Sequence, residues 1–132
     1  MNSQKIHENY HEVKEKLSNV FKRLRAEGIV AKQNFLCCSS CAWSALSSDY
    51  KGKETNGFVF YHSQDNDSLK ENGEAYLAFG VDDDKKQSSV MVGLMVCFVC
   101  ELNGLAVEWD RTSTKRILVR LPEKPAEDLI KN

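Results

Sequence analysis

The chain lacks a long hydrophobic run. Its longest apolar stretch, residues 90–100, is interrupted by Gly93 and falls short of the ~20 residues a helix needs to cross a bilayer, so no membrane association is expected. Proline is scarce: Pro122 and Pro125 are the only two, both near the C-terminus. No proline therefore stands in the body of the chain to act as a cis residue beside a redox disulfide. Charge of one sign is missing as well. Eighteen basic residues against nineteen acidic ones leave a formal net charge of -1, which removes the broad electrostatic basis for binding nucleic acid. The N-terminal Met-Asn-Ser-Gln-Lys leads into a charged amphipathic segment rather than an apolar leader. Five cysteines, an odd number, do not make a disulfide framework. A reducing, cytoplasmic setting is the expectation.

What is present is an ordinary globular composition. With 132 residues, 42% hydrophobic and 28% charged, the chain is long enough to bury a core without staples and too apolar to stay disordered. The organisation expected is a single domain over residues 1–132: an N-terminal amphipathic helix (1–28), an α+β core (29–121) and a solvated tail (122–132). In the first segment Ile6, Tyr10, Val13, Leu17, Val20, Phe21 and Leu24 recur at steps of three and four, one apolar stripe on a helix. Gly28 can adopt the left-handed conformation that ends it. His7 and His11 share metal-ligand spacing on this helix, but no third ligand accompanies them, so they read as exposed histidines.

Residues 29–36 read as a strand and 38–48 as a helix; 57–62 is the strongest strand pattern in the chain. Residues 63–72 read as a polar loop closed by a tight Asn72-Gly73 turn, and 74–81 as the next strand. Asp82, Asp83 and Asp84 lack the spacing of a calcium loop and read as the acidic flank of a helix. Residues 90–102 are apolar nearly all round; their length and Asn103-Gly104 favour a buried helix. Segments 105–109 and 116–121 read as two final strands. This order predicts an antiparallel or mixed sheet of four to five strands with helices mainly on one face, a split-βαβ, ferredoxin-like variant with the first strand beside the third.

The candidate chemistry gathers in Cys37-Cys38-Ser39-Ser40-Cys41, where a strand gives way to a helix. Unpaired amides and the positive end of a helix dipole favour thiolates at such a position. Three readings compete. The cysteines can be small buried hydrophobes. Cys37, Cys38 and Cys41 can hold zinc, with His62 at the end of the following strand as fourth ligand, although adjacent cysteines seldom both ligate one ion without strain. Cys38-Ser39-Ser40-Cys41 can also be a C-x-x-C redox pair, though the Trp-Cys-Gly-Pro-Cys of thioredoxin-like sites is absent. The second C-x-x-C, Cys97 and Cys100, sits in the apolar run and reads as core. His62, Gln64 and Asp65 form a second polar group, and Trp109 with Asp110 closes the fourth strand, expected on the rim where the first and second strands end.

Four ordered segments carry a resemblance: Gln33-Asn34-Phe35-Leu36-Cys37-Cys38-Ser39-Ser40-Cys41, Gly57 to Asp65 with Phe58-Val59-Phe60-Tyr61-His62, Tyr76-Leu77-Ala78-Phe79-Gly80, and Val107-Glu108-Trp109-Asp110. Together they resemble a family of uncharacterised bacterial proteins, a domain of unknown function. The resemblance implies that the Cys-Cys-x-x-Cys, His-x-Gln-Asp and Trp-Asp groups are the residues to watch, and it brings no activity with it. This chain has no glycine directly after Cys41 or Asp110, where relatives often carry one. The expectation is thus a binding or structural module rather than an enzyme, with zinc as the candidate cofactor and a homodimer through the long first helix as a candidate assembly.

Overall fold

The computed structural model describes residues 3–81 and 89–122, with side chains from residue 9 onward. Four helices and five strands alternate as α1 (Ser3–Ala26), β1 (Val30–Lys32), α2 (Ser39–Asp49), β2 (Phe58–Phe60), α3 (Ser63–Asn72), β3 (Glu74–Gly80), α4 (Ser89–Leu102), β4 (Ala106–Glu108) and β5 (Ile117–Arg120). The acidic run at 82–84 and the tail beyond 122 lie outside the described residues. No helix among the described residues is long and apolar enough to cross a membrane.

The stripe on α1 does what its spacing implies. Val13, Leu17, Val20, Phe21 and Leu24 are all fully buried. The helix ends where Gly28 takes a φ of +85°. Asn56 then ties the turn, its side chain donating to the Glu27 carbonyl at 2.8 Å and its amide donating to the Gly28 carbonyl at 3.0 Å. A side chain at position 28 would be strained by that φ and would collide with Asn56.

The sheet is five-stranded and mixed, in the order β1-β2-β3-β5-β4. The α+β class and the placement of most helices on one face agree with the sequence reading. The place of the first strand does not: β1 lies parallel to β2, with Val30 opposite Phe58 and Lys32 opposite Phe60, rather than beside β3, which pairs antiparallel with β2 and β5. The cause is β2 itself. Phe58, Val59 and Phe60 are all buried, so both faces are covered and its backbone groups need partners along both edges. The Val30 amide donating to the Gly57 carbonyl, and the Tyr61 amide donating to Lys32, lengthen the β1 pairing at both ends.

The polar segment 63–72 is helix α3, not a loop. It buries a single apolar residue, Leu69, so it has almost no hydrophobic periodicity. Its ends hold it instead. The Asp65 carboxylate accepts the His62 amide at 3.1 Å, half of a capping box. Gly73 closes the helix in the left-handed conformation, its amide donating to Leu69.

The sheet separates two unequal cores. On one face Val59, Leu77, Phe79, Ile117 and Val119 pack with the stripe of α1, Leu69 of α3, and Val92, Val96, Val99 and Cys100 of α4. On the other, Phe58, Phe60 and Ala78 meet only Ala42 and Leu46 of α2, with Val30, Phe35, Trp43 and Tyr50 half-buried around them.

Candidate metal centre

The thiol loop leaves β1 after Lys32 and reaches α2 by an unusual path. Asn34 and Leu36 both have positive φ, 49° and 61°, which side chains other than glycine rarely adopt. What holds them there is the junction between β2 and α3. The Phe35 amide donates to the Tyr61 carbonyl at 2.8 Å and the Ser63 amide donates to the Leu36 carbonyl at 2.9 Å, while the Gln33 side chain donates to the Tyr61 hydroxyl at 3.2 Å. Phe35 packs edge-on to Phe60. This clamp delivers Cys37 and Cys38 to the N-terminus of α2, where Cys38 is the N-cap in an extended conformation.

Three sulfurs converge there. Cys37 Sγ lies 3.5 Å from Cys41 Sγ and 3.7 Å from Cys38 Sγ. All three lie within 4.8 Å of one another. Cys37 and Cys41 are exposed, Cys38 half-buried, so the reading of Cys37 and Cys38 as core residues does not describe them. The Cys38 side chain makes no formal capping bond. Even so, contact with the Ser40 hydroxyl at 3.5 Å, the Cys41 amide and the two other thiols brings its pKa down to about 6, and the Cys41 thiol, losing its proton next to Cys37 and Cys38, is pushed up to about 11. Near neutral pH this geometry favours a thiolate at Cys38 and a thiol at Cys41.

The donor set fits a tetrahedral zinc ion. Zn–S bonds of about 2.3 Å place ligand sulfurs about 3.8 Å apart along a tetrahedron's edge, close to the 3.5 and 3.7 Å found. Adjacent Cys37 and Cys38 both take part in the cluster. His62 does not enter it: among the described residues the group is Cys37, Cys38 and Cys41 alone. His62 is instead buried, with Nδ1 3.2 Å from Asp65 Oδ2 but too poorly aimed to hydrogen-bond it. Burial lowers its pKa, the Asp65 carboxylate opposes this, and the Arg116 guanidinium adds to it.

The remaining candidates divide between support and surface. Asp65 receives Arg116 Nη2 at 2.5 Å, and the same nitrogen donates to the Tyr76 carbonyl, so the carboxylate links α3 to the sheet. Gln64 is exposed on α3. Trp109 lies on the opposite face of the sheet from α2, edge-on to Phe79 at 5.2 Å, its indole donating to the carbonyls of Thr112 and Lys115 at 3.0 Å. Asp110 Oδ1 accepts the Thr112 hydroxyl at 2.7 Å and its amide at 3.0 Å, and these bonds lower its pKa. Both shape the β4–β5 turn, and neither touches the sulfurs.

Residues the sequence did not single out complete the support. Tyr61 is fully buried, and its hydroxyl accepts Lys14 Nζ at 2.7 Å, while Lys14 also donates to Asn66 at 3.2 Å. Burial pushes the Tyr61 phenol up to about 12 and the Lys14 ammonium down. Nothing in the sequence pairs residues 14, 33, 61 and 66, because they meet only when α1 lies across the β2–α3 junction. Cys97 and Cys100 fall on α4 as expected, half-buried and buried, with burial raising both pKa values.

A family model described as Domain of unknown function (DUF6891) matches residues 3–122. The chain belongs to that family. The DUF6891 match takes in all five strands, all four helices and the thiol loop. No curated protein and no solved structure matches the chain.

Proposed function

We propose that this DUF6891 protein is a non-catalytic binding or structural module whose Cys37, Cys38 and Cys41 thiolates hold one zinc ion. The observation that supports the reading is the convergence of three sulfurs within 4.8 Å of one another, two of their separations close to a tetrahedral edge, on an exposed helix N-terminus. A cation held there by Cys37, Cys38 and Cys41 would favour thiolates as ligands and offset the neighbouring sulfurs that hold the Cys41 proton in place. With no fourth ligand in the cluster among the described residues, the fourth position is open to water or to a ligand brought to it. The test is metal analysis of reduced protein together with a count of fast-reacting thiols before and after chelation. One zinc per chain, and a Cys38 thiol that becomes fast-reacting only on chelation, are the expected results; no metal at any free zinc concentration overturns the reading.

The opposed shifts of Cys38 and Cys41 support a second reading, thiol–disulfide exchange. The Cys38 thiolate would attack a substrate disulfide, releasing one thiolate and forming a mixed disulfide. Cys41, once deprotonated, would displace the second substrate thiolate and leave Cys38 and Cys41 joined. Failure to take up zinc, together with a reversible two-electron disulfide between Cys38 and Cys41, favours this reading over the first.

A further inference from the structure

The outer face of α4 carries an apolar stripe that the fold leaves in water. Met91 is 65% exposed, Phe98 and Leu102 61% each, Leu94 and Met95 nearly 40%. They recur at the three- and four-residue steps of one helix face, opposite Val92, Val96 and Val99, which are buried on the sheet. Taking about 200 Å² for a large side chain laid fully open, the stripe presents roughly 500 Å² of apolar surface, near the top of what a soluble monomer usually shows. Beside it runs a groove walled by Leu94, Cys97, Phe98 and Glu101 on the helix and by Val107, Trp109 and Arg111 on β4 and just beyond its end. β4 is the terminal strand of the sheet.

We infer that this face is where two copies of the chain associate, α4 against α4 about a two-fold axis. Three observations point to a second copy rather than to another partner. The helix has no basic residue and only one acidic residue, Glu101, which Arg111 on the same groove offsets, so the face carries no net charge for selecting a charged partner or an anionic membrane. A two-fold axis at the middle of the stripe makes the helices antiparallel and sets Phe98 of one copy against Met95 of the other, Met91 against Leu102. The two Glu101 side chains then stand about a Debye length or more apart. Pairing the two stripes also buries on the order of 1,000 Å² in total, the lower bound for a specific interface, and the groove receives the ends of the facing side chains. This differs from a dimer through α1, whose apolar stripe is spent on the core.

Sedimentation velocity on the full chain tests the proposal, run from low to high micromolar protein with reductant and chelator present so that neither an intermolecular disulfide nor a shared metal can join copies. A concentration-dependent monomer–dimer equilibrium is expected. Phe98→Glu should weaken it at least tenfold with the helical circular dichroism unchanged, and Met95→Lys should do the same independently. On α1, Glu12→Lys should leave it as it was. Monomer at every concentration, a dimer that vanishes on adding chelator and reductant, or a dimer that both stripe variants leave intact would each overturn the inference. So would vesicle binding by the monomer that depends on Phe98.

Discussion

The two faces of the sheet differ in what covers them, and the chemistry lies on the thinner side. On one face α1, α3 and α4 close over a continuous core; on the other, α2 alone rests on Phe58, Phe60 and Ala78. The first face supplies most of the buried apolar surface, the dominant favourable term in folding. The second places three thiols at the exposed start of a short helix. β2 links the two, since Val59 and Tyr61 belong to the thick core and Phe58 and Phe60 to the thin one. The arrangement separates the main folding core from the thiol cluster: the residues that supply most of the burial lie on one face and the three cysteines on the other.

Paired large-to-small substitutions put the strongest pressure on that division. Phe21 is fully buried on the thick face and meets Tyr61 edge-on, so Phe21→Ala is expected to destabilise by about 4 kcal/mol in chemical denaturation. Leu46, 1% exposed on the thin face, has half-buried neighbours that can settle into the space, and Leu46→Ala is expected to cost about 2 kcal/mol. Equal costs would show that α2 is as integral to the fold as α1.

Asp65→Asn asks whether the junction that clamps the thiol loop is held electrostatically. The substitution weakens the pair with Arg116, whose side chain is about one-third exposed, and the capping contact with the His62 amide. Allowing for solvent around the guanidinium, a loss of about 2 kcal/mol is expected, with faster amide exchange at Ser63 and Phe35. A stability loss without that faster exchange would separate the Asp65 network from the loop.

Glycine substitutions make a finer comparison. A Cβ at Gly93 would fall 2.4 Å from the Trp109 ring on the thick face, and one at Gly80 would fall 3.1 Å from the Trp43 ring on the thin face. Trp109 is fixed by its two indole hydrogen bonds, so Gly93→Ala is expected to cost about 2 kcal/mol through overpacking. The half-buried Trp43 can move by a few tenths of an ångström, and Gly80→Ala should stay under about 1 kcal/mol. Reversed magnitudes would contradict the picture of a yielding thin face.

What the sequence revealed follows the same division. The stripe of α1, the runs of β2 and β3 and the apolar α4 were legible because burial imposes a period on them. α3 was not, because Leu69 is its only buried apolar residue and its signals sit at the ends, in His62-Asp65 and Gly73. The pairing of β1 with β2 was also hidden: alternation shows which residues face inward, not which strand lies alongside. Of the candidate site, the three cysteines converge as their spacing suggested. His62 and Asp65 lie beneath the loop that carries them, and Trp109 and Asp110 lie at a different turn. The links from Lys14, Gln33 and Arg116 are long-range contacts that no local pattern encodes.

The smallest stability effect gives the sharpest test of where function lies. Cys41 is exposed, and its Sγ lies against the Cys37 sulfur. In metal-free, reduced protein, Cys41→Ser should therefore leave the denaturation midpoint where it was. With zinc the two proteins should part. A ligand that binds only the folded state stabilises it by RT ln(1 + [L]/Kd), so the wild-type midpoint should climb steadily with free zinc while the serine variant, one thiolate short, stays nearly flat. Alkylation adds the pH dimension: metal-free wild type should show one thiol with a rate midpoint near pH 6, from Cys38. Cys41→Ser removes one of the contacts that favour the Cys38 thiolate, so that midpoint should move upward in the variant. A midpoint that does not move, together with zinc stabilisation that survives the substitution, would place the metal elsewhere and leave the three sulfurs as neighbours without a common task.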